Sequence, residues 1–267
     1  LGLSGAAVAT ALAGALGGLI GVRALFHPRC RVHLSLQDDF RIKIPVITDI
    51  LRLGIPASIE QGVISGSQLL YTILAAGLGN IPIAANQIIM TTFSVTNLPC
   101  IGFAAVSTTL VGQNLGARQF SLARASGYET RRLALIFTSI VGVFFLLAPR
   151  VVIRGFTNDP RVISLAGSTL RILGLAQPAL AVARVLAGGL RGAGDTRFVM
   201  YVTALGMLGF RLLLTLSFLY LGWGLHGLWA AAALDAYLEA GLIQNRFRTG
   251  RWIDKYIASH PSPSKAG

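Results

Sequence analysis

Charge is scarce in this sequence. Charged residues are 12% of the 267, about half of the roughly 25% that a soluble domain carries. The shortage is uneven, because long stretches have almost no charge, and that is the pattern of a chain whose solvent is lipid. Acidic residues are scarcer still, 10 against 23 Lys and Arg, for a net charge of +13. Most of the basic residues sit in short gaps between apolar runs, so membrane topology accounts for them and nucleic-acid binding is excluded. Cysteine is nearly absent: Cys30 lies in a basic gap and Cys100 inside an apolar run. One bridge is the most they could make, no metal-ligand spacing is present, and an unpaired thiol is expected at each. The four histidines, His27, His33, His226 and His260, are scattered, and Asp38–Asp39 is a lone acidic pair in a gap. A membrane-embedded transferase would need clustered carboxylates or a His/Cys constellation, so no catalytic and no metal-ligating residues are expected.

Apolar residues are plentiful, 54% of the chain, with a mean hydropathy of +0.67. A helix needs about 20 of them to cross the hydrocarbon core. Seven stretches qualify or come close, near 2–22, 48–77, 81–111, 133–149, 162–189, 198–221 and 225–244. The fold class is therefore all-α, a polytopic bundle of about seven membrane helices. Pro56, Pro99 and Pro178 fall inside these runs; membrane helices tolerate them, and small residues let helix backbones approach. Basic gaps alternate with poor ones. Arg23 to Lys43, Arg118 to Arg132, Arg191 to Arg197 and the tail from Arg246 are rich, whereas GLGNIPI and LGWGLHG carry no Lys or Arg. The alternation places the rich gaps and the C-terminus in the cytoplasm. The exception is the gap with Arg150, Arg154 and Arg161.

Leu1 then lies outside, with no signal peptide before the first helix, which is expected to be reached partway through a longer chain. Gly2-Leu3-Ser4-Gly5-Ala6-Ala7 echoes Gly224-Leu225-His226-Gly227-Leu228-Trp229, as in transporters built from two like halves. The basic segment Ala117–Arg132 is expected to form a short helix lying at the interface. The Pro/Ser-rich end of the tail is expected to lack structure.

Specific strings add a resemblance. GIPASIEQG, ANQI, TTLVGQNLGA, LRGAGDTRF and LDAYLEAGLIQNRFRTGRW together resemble the C-terminal half of multidrug and toxic compound extrusion (MATE) transporters, especially their bacterial DinF-type branch. The resemblance implies four regions: 1–24 as the last helix of an N-terminal lobe, 25–46 as a basic inter-lobe loop, 47–248 as a six-helix lobe, and 249–267 as a disordered cytoplasmic tail. It implies a carrier in the bacterial plasma membrane that exports organic cations or amphipathic compounds in exchange for H⁺ or Na⁺. That carrier would use no other cofactor and would need the missing N-terminal lobe as partner. A flippase for lipid-linked sugars, of the same superfamily, is the alternative; a non-transporting remnant is another.

Ionisable groups inside membrane helices are costly, so each calls for a role. Glu60 is the first candidate for binding a coupling ion or a cationic substrate, with Gln61 and Gln68 on the same helix. Arg211 and Asp235 are at similar depth on adjacent helices, which predicts an interhelical ion pair, structural in role, with a proton relay as the alternative; Glu239 lies one turn from Asp235. Arg184 is expected to snorkel to the headgroups. Asp195 is expected to N-cap the helix that follows Gly192 and Gly194. Asn86, Gln87 and Gln177 are uncharged polar groups that can bond across helices or line a cavity.

Overall fold

The computed structural model describes residues 2–26 and 44–259. Cys30, most of the expected inter-lobe loop at 25–46, and the tail from His260 lie outside the described residues. The chain divides into a unit spanning 1–49 and a unit spanning 50–267. The first contains α1 (Gly2–Leu25), a helix with exposed apolar side chains from Val8 to Val22.

The other elements are α2 (Ile44–Ala76), α3 (Asn80–Gly116), α4 (Phe120–Leu147), the short α5 (Pro149–Arg154), α6 (Pro160–Gly192), α7 (Thr196–Ala204), a π turn (Leu205–Phe210), α8 (Arg211–Tyr220), α9 (Gly224–Thr249) and α10 (Arg251–Ser259). The fold is all-α, and each of the seven apolar stretches lies in a long helix, α7, the π turn and α8 together forming one span. Among the described residues, α3, α4, α6 and the span Thr196–Tyr220 are long and apolar enough to cross a membrane by length and composition. Pro56, Pro99 and Pro178 are accommodated inside α2, α3 and α6. The basic segment after Ala117 is not a separate interfacial helix. It is the beginning of α4, because Ala123, Gly127, Thr130, Ala134 and Thr138 are all buried, a stripe at helical spacing that continues into the apolar part.

α6 is the post of the bundle. Buried residues make up 61% of its apolar stretch, against 17–28% for the other three spans, and it packs on α3, α4 and α9. Asp159 and Pro160 start it: Asp159 Oδ1 accepts the Arg161 N–H at 2.8 Å, and proline costs no hydrogen bond in the first turn. Glycine then lets backbones touch. A Cβ on Gly188 would lie 2.4 Å from the Ala104 carbonyl oxygen, and one on Gly192 would lie 2.2 Å from that of Thr108. The Thr108 hydroxyl crosses this contact and donates to the Gly188 carbonyl at 2.9 Å. Gly142 of α4 and Gly174 of α6 meet in the same way. Lipid offers no hydrophobic drive for helices to associate, so such close approach supplies the packing instead.

The turn between α6 and α7 ties several elements together. Asp195 occupies the N-cap position of α7, but its side chain makes no capping bond, which corrects the expected role. It accepts from Arg246 Nε at 2.9 Å and from Lys255 Nζ at 2.6 Å. Two cations offer a carboxylate that is 1% exposed more than one backbone N–H can. Lys255 belongs to α10, so residues 251–259 are helical, not disordered. Gly250 ends α9 in the left-handed conformation, φ 73°. Beyond it Trp252, fully buried, stacks on Phe247 with ring centroids 4.9 Å apart and donates to the Phe247 carbonyl at 2.9 Å. The Pro/Ser composition that signals disorder starts only after this amphipathic turn. Cys100 is an unpaired, buried thiol.

Two outcomes follow. Gly188→Ala or Gly192→Ala is expected to push α3 from α6 and cost about 1–3 kcal/mol, read as a lower melting temperature in detergent, whereas Gly102→Ala, where a Cβ meets nothing within 4 Å, leaves it unchanged. Asp195→Asn is expected to weaken the hold on α10 by about 1.4 kcal/mol, read as a roughly tenfold faster hydrogen exchange of its amides.

Candidate functional site: an intramembrane cavity with unpaired charge

Between α2, α3, α6, α8 and α9 lies a cavity of about 80 Å³. Gln68, Phe93, Arg184, Trp229 and Glu239 line it, together with Arg211 and Asp235. A water occupies about 10–15 Å³ on this measure, so the cavity holds on the order of five. Pockets for drug-sized ligands begin near ~300 Å³. It has room for a few waters and none for a drug-sized ligand.

The π turn shapes one wall. A π-helical segment breaks the usual hydrogen-bond register of a helix and is frequent at functional sites. Here the Tyr71 hydroxyl of α2 donates to the Met207 carbonyl of that turn at 2.7 Å. Arg211 follows immediately, with its guanidinium carbon 4.1 Å from the centre of the Tyr71 ring, a cation–π contact. Asp235 of α9 faces the same turn at Gly206, where a Cβ would stand 2.7 Å from Oδ1. Only glycine leaves room for that carboxylate.

The ion pair expected between Arg211 and Asp235 is not formed. Both side chains reach the same cavity, yet Arg211 Nε and Asp235 Oδ1 are each buried with no hydrogen-bond partner. The reason is the π turn: Arg211 lies flat on Tyr71, while Asp235 turns to the gap at Gly206. A carboxylate 4% exposed with an unsatisfied oxygen is unusual, since buried polar groups are nearly always bonded. Glu239, one turn along α9, accepts from the Thr203 hydroxyl at 3.1 Å and lies in the field of Arg184. Arg184 therefore points into the bundle and does not snorkel to the headgroups.

The remaining candidates divide. Glu60 is buried, and Arg191, in the last turn of α6, forms an ion pair with it. The pair joins α2 to the turn carrying Asp195. Gln68 lines the cavity. Gln61 is exposed and reaches only Ser65 of its own helix, at 3.5 Å. Asn86, fully buried, accepts the Trp229 indole N–H at 3.1 Å and so holds a cavity wall in place. Gln177 donates to Thr96 at 3.4 Å inside the packing of α3 and α6, and Gln87 is exposed. Tyr71 and the π turn carry no sequence signal as site elements; a tyrosine a few turns after a buried acid was the one hint.

The MatE family profile matches residues 56–216. The chain is 27% identical over its full length to a probable multidrug resistance protein NorM of Thermotoga maritima, of which it covers 57%. It is 27% identical over 97% of its length to the uncharacterized transporter YisQ of Bacillus subtilis, again covering 57%. With the multidrug resistance protein NorM of Burkholderia vietnamiensis it shares 30% identity over 92% of its length and covers 54%. The chain thus spans about half the length of these relatives. A crystal structure of MATE in complex with MaL6 matches 94% of the chain at 22% identity with a TM-score of 0.86, and 57% of that structure is covered. An outward-facing multidrug resistance MATE family transporter of the MOP superfamily matches 76% of the chain at 24% identity with a TM-score of 0.71, over 45% of its own length. With more than half of its residues under the family profile, the chain belongs to the MatE family and is a multi-pass membrane protein of a transporter family, not an enzyme.

Proposed function

We propose that this chain supplies one lobe of a secondary antiporter that exports cationic or amphipathic organic compounds, and that Asp235 takes up the coupling proton. The observation that carries the reading is the buried Asp235 carboxylate, unpaired in a cavity large enough for a few waters. The relatives named as multidrug resistance proteins support the substrate class, and the strings shared with DinF-type carriers support a bacterial plasma-membrane exporter of that branch. The basic ends of α3, α6 and α9 face the cytoplasm in this reading, with the C-terminus inside.

A proton fits the cavity better than a sodium ion. A metal cation at Asp235 would sit in the field of Arg211, with Arg184 in the same cavity, and like charges repel strongly where water is sparse. Neutral Asp235 leaves Arg211 on Tyr71. Ionised Asp235 attracts Arg211 across the cavity and away from that ring. Tyr71 also bonds to the π turn, so proton exchange at Asp235 pulls on a helix span that is already unwound. Asp235 is in the field of Tyr71 of α2, Arg211 of α8 and Glu239 of α9, and Arg184 of α6 lines the same cavity. Glu60, already held by Arg191, is the lesser candidate for coupling. The drug pathway lies outside this small cavity, against the N-terminal lobe of the carrier. The two arginines are the one observation that favours the alternative, a flippase or a carrier of anionic amphipaths.

The test is proton-driven uptake of an organic cation into inside-out proteoliposomes of the transporter that contains this lobe. Asp235→Asn is expected to lower coupled transport at least tenfold while substrate binding persists, and Asp235→Glu restores part of it. Wild-type transport in Asp235→Asn would overturn the assignment. Wild-type transport in Glu60→Gln is expected.

A further inference from the structure

At the opposite end of the bundle from Asp195, the geometry points to a binding site for the phosphate headgroup of an anionic phospholipid. This site does not depend on the antiport reading. An open cleft of about 350 Å³ lies between α5 and the start of α6, lined by Arg150, Arg154, Asn158, Pro160, Ile163 and Ser164.

Three observations converge on it. First, α5 is pinned by one face only: Pro149 and Ile153 are buried, while Arg150 and Arg154, one turn apart, are exposed into the cleft. Second, these guanidinium groups lack an acid. No ion pair among the described residues involves Arg150, Arg154 or Arg161, and Asp159, the acid of this connection, directs Oδ1 to the Arg161 N–H. Third, the cleft lies at the ends of the apolar helices α4 and α6 and has exposed apolar and aromatic neighbours. Leu147, Val151 and Phe156 beside it are 79%, 66% and 51% exposed, and Tyr220 and Trp223 at the same end are 93% and 52% exposed. Exposed apolar and aromatic side chains at a helix end form the belt that meets the interface.

These features select a ligand with two parts. Two guanidinium forks suit a phosphate diester, which they bind bidentately, and Asn158 and Ser164 add neutral polar partners. The apolar rim suits the acyl chains of the same molecule. A free phosphate would use the arginines and leave the rim unused; an anionic phospholipid uses both. Basic pockets between membrane helices take such headgroups. The site also explains why this gap departs from the alternation of basic and uncharged gaps: its arginines serve a ligand, not topology.

Native mass spectrometry of the purified transporter tests the site, with phosphatidylglycerol, with phosphatidylcholine, and with phosphatidylglycerol plus excess inorganic phosphate. The wild type is expected to retain phosphatidylglycerol selectively, and inorganic phosphate is expected not to displace it. Arg150→Gln with Arg154→Gln should weaken retention by about fivefold per arginine, while Arg132→Gln with Arg248→Gln, the same charge change at the other end, leaves it within twofold. Ser164→Phe, which fills the cleft without changing charge, should lower retention even if the arginine variant does not fold. Equal retention of both lipids, equal loss in the two double variants, no loss in Ser164→Phe, or full displacement by inorganic phosphate would each overturn the lipid site.

Discussion

The contact on which the rest of the lobe depends is backbone against backbone along α6. Where Gly188 and Gly192 meet α3, and Gly174 meets Gly142 of α4, no side chain separates the helices. In lipid the gain from burying apolar surface between helices is small, so the contact is held by close packing and by a hydroxyl such as that of Thr108. Bringing α3 and α4 this near to α6 leaves the opposite side of α6 to α9, α2 and the unwound span. The small residues that line it there, Ala176 and Ala183 among them, keep space open where larger ones would fill it.

That space is where the lobe keeps charge. Two arginines and two acids share it, and the π turn keeps Arg211 and Asp235 from pairing. A span of regular α-helix would present Arg211 one step differently around its axis. The extra residue per turn instead lays the guanidinium on Tyr71 and leaves Gly206 opposite Asp235. An uncompensated carboxylate in such a place costs stability, and proteins retain such costs where function needs them. The other acids of the lobe show the contrast: Asp195 and Glu60 are just as buried, but each is engaged by cations at the basic end of the bundle.

Much of this architecture is legible in the sequence, because lipid imposes one rule on every span. Apolar length alone locates the seven long helices. Similar depth places Arg211 and Asp235 together, and the structure brings both to one cavity. What the sequence hides depends on distant partners. Asp195 reads as a cap from its neighbours, yet its actual partners lie 51 and 60 residues away. The start of α4 reads as interfacial because Arg124, Arg131 and Arg132 dominate its composition, while the buried stripe of small residues between them is quiet. α10 is masked by the Pro/Ser run that follows it. The π turn has no signature in LGMLGF beyond its two glycines, and with it went the reason that Arg211 and Asp235 stay apart.

The proposed coupling event is a proton exchange at Asp235 inside the cavity. Infrared difference spectroscopy of the reconstituted transporter, taken as the pH is stepped, observes that event directly. The account predicts a protonated-carboxyl band that appears on acidification and is missing from the Asp235→Asn protein but kept in Glu60→Gln. A band that survives in Asp235→Asn, or that vanishes with Glu60→Gln instead, would contradict it.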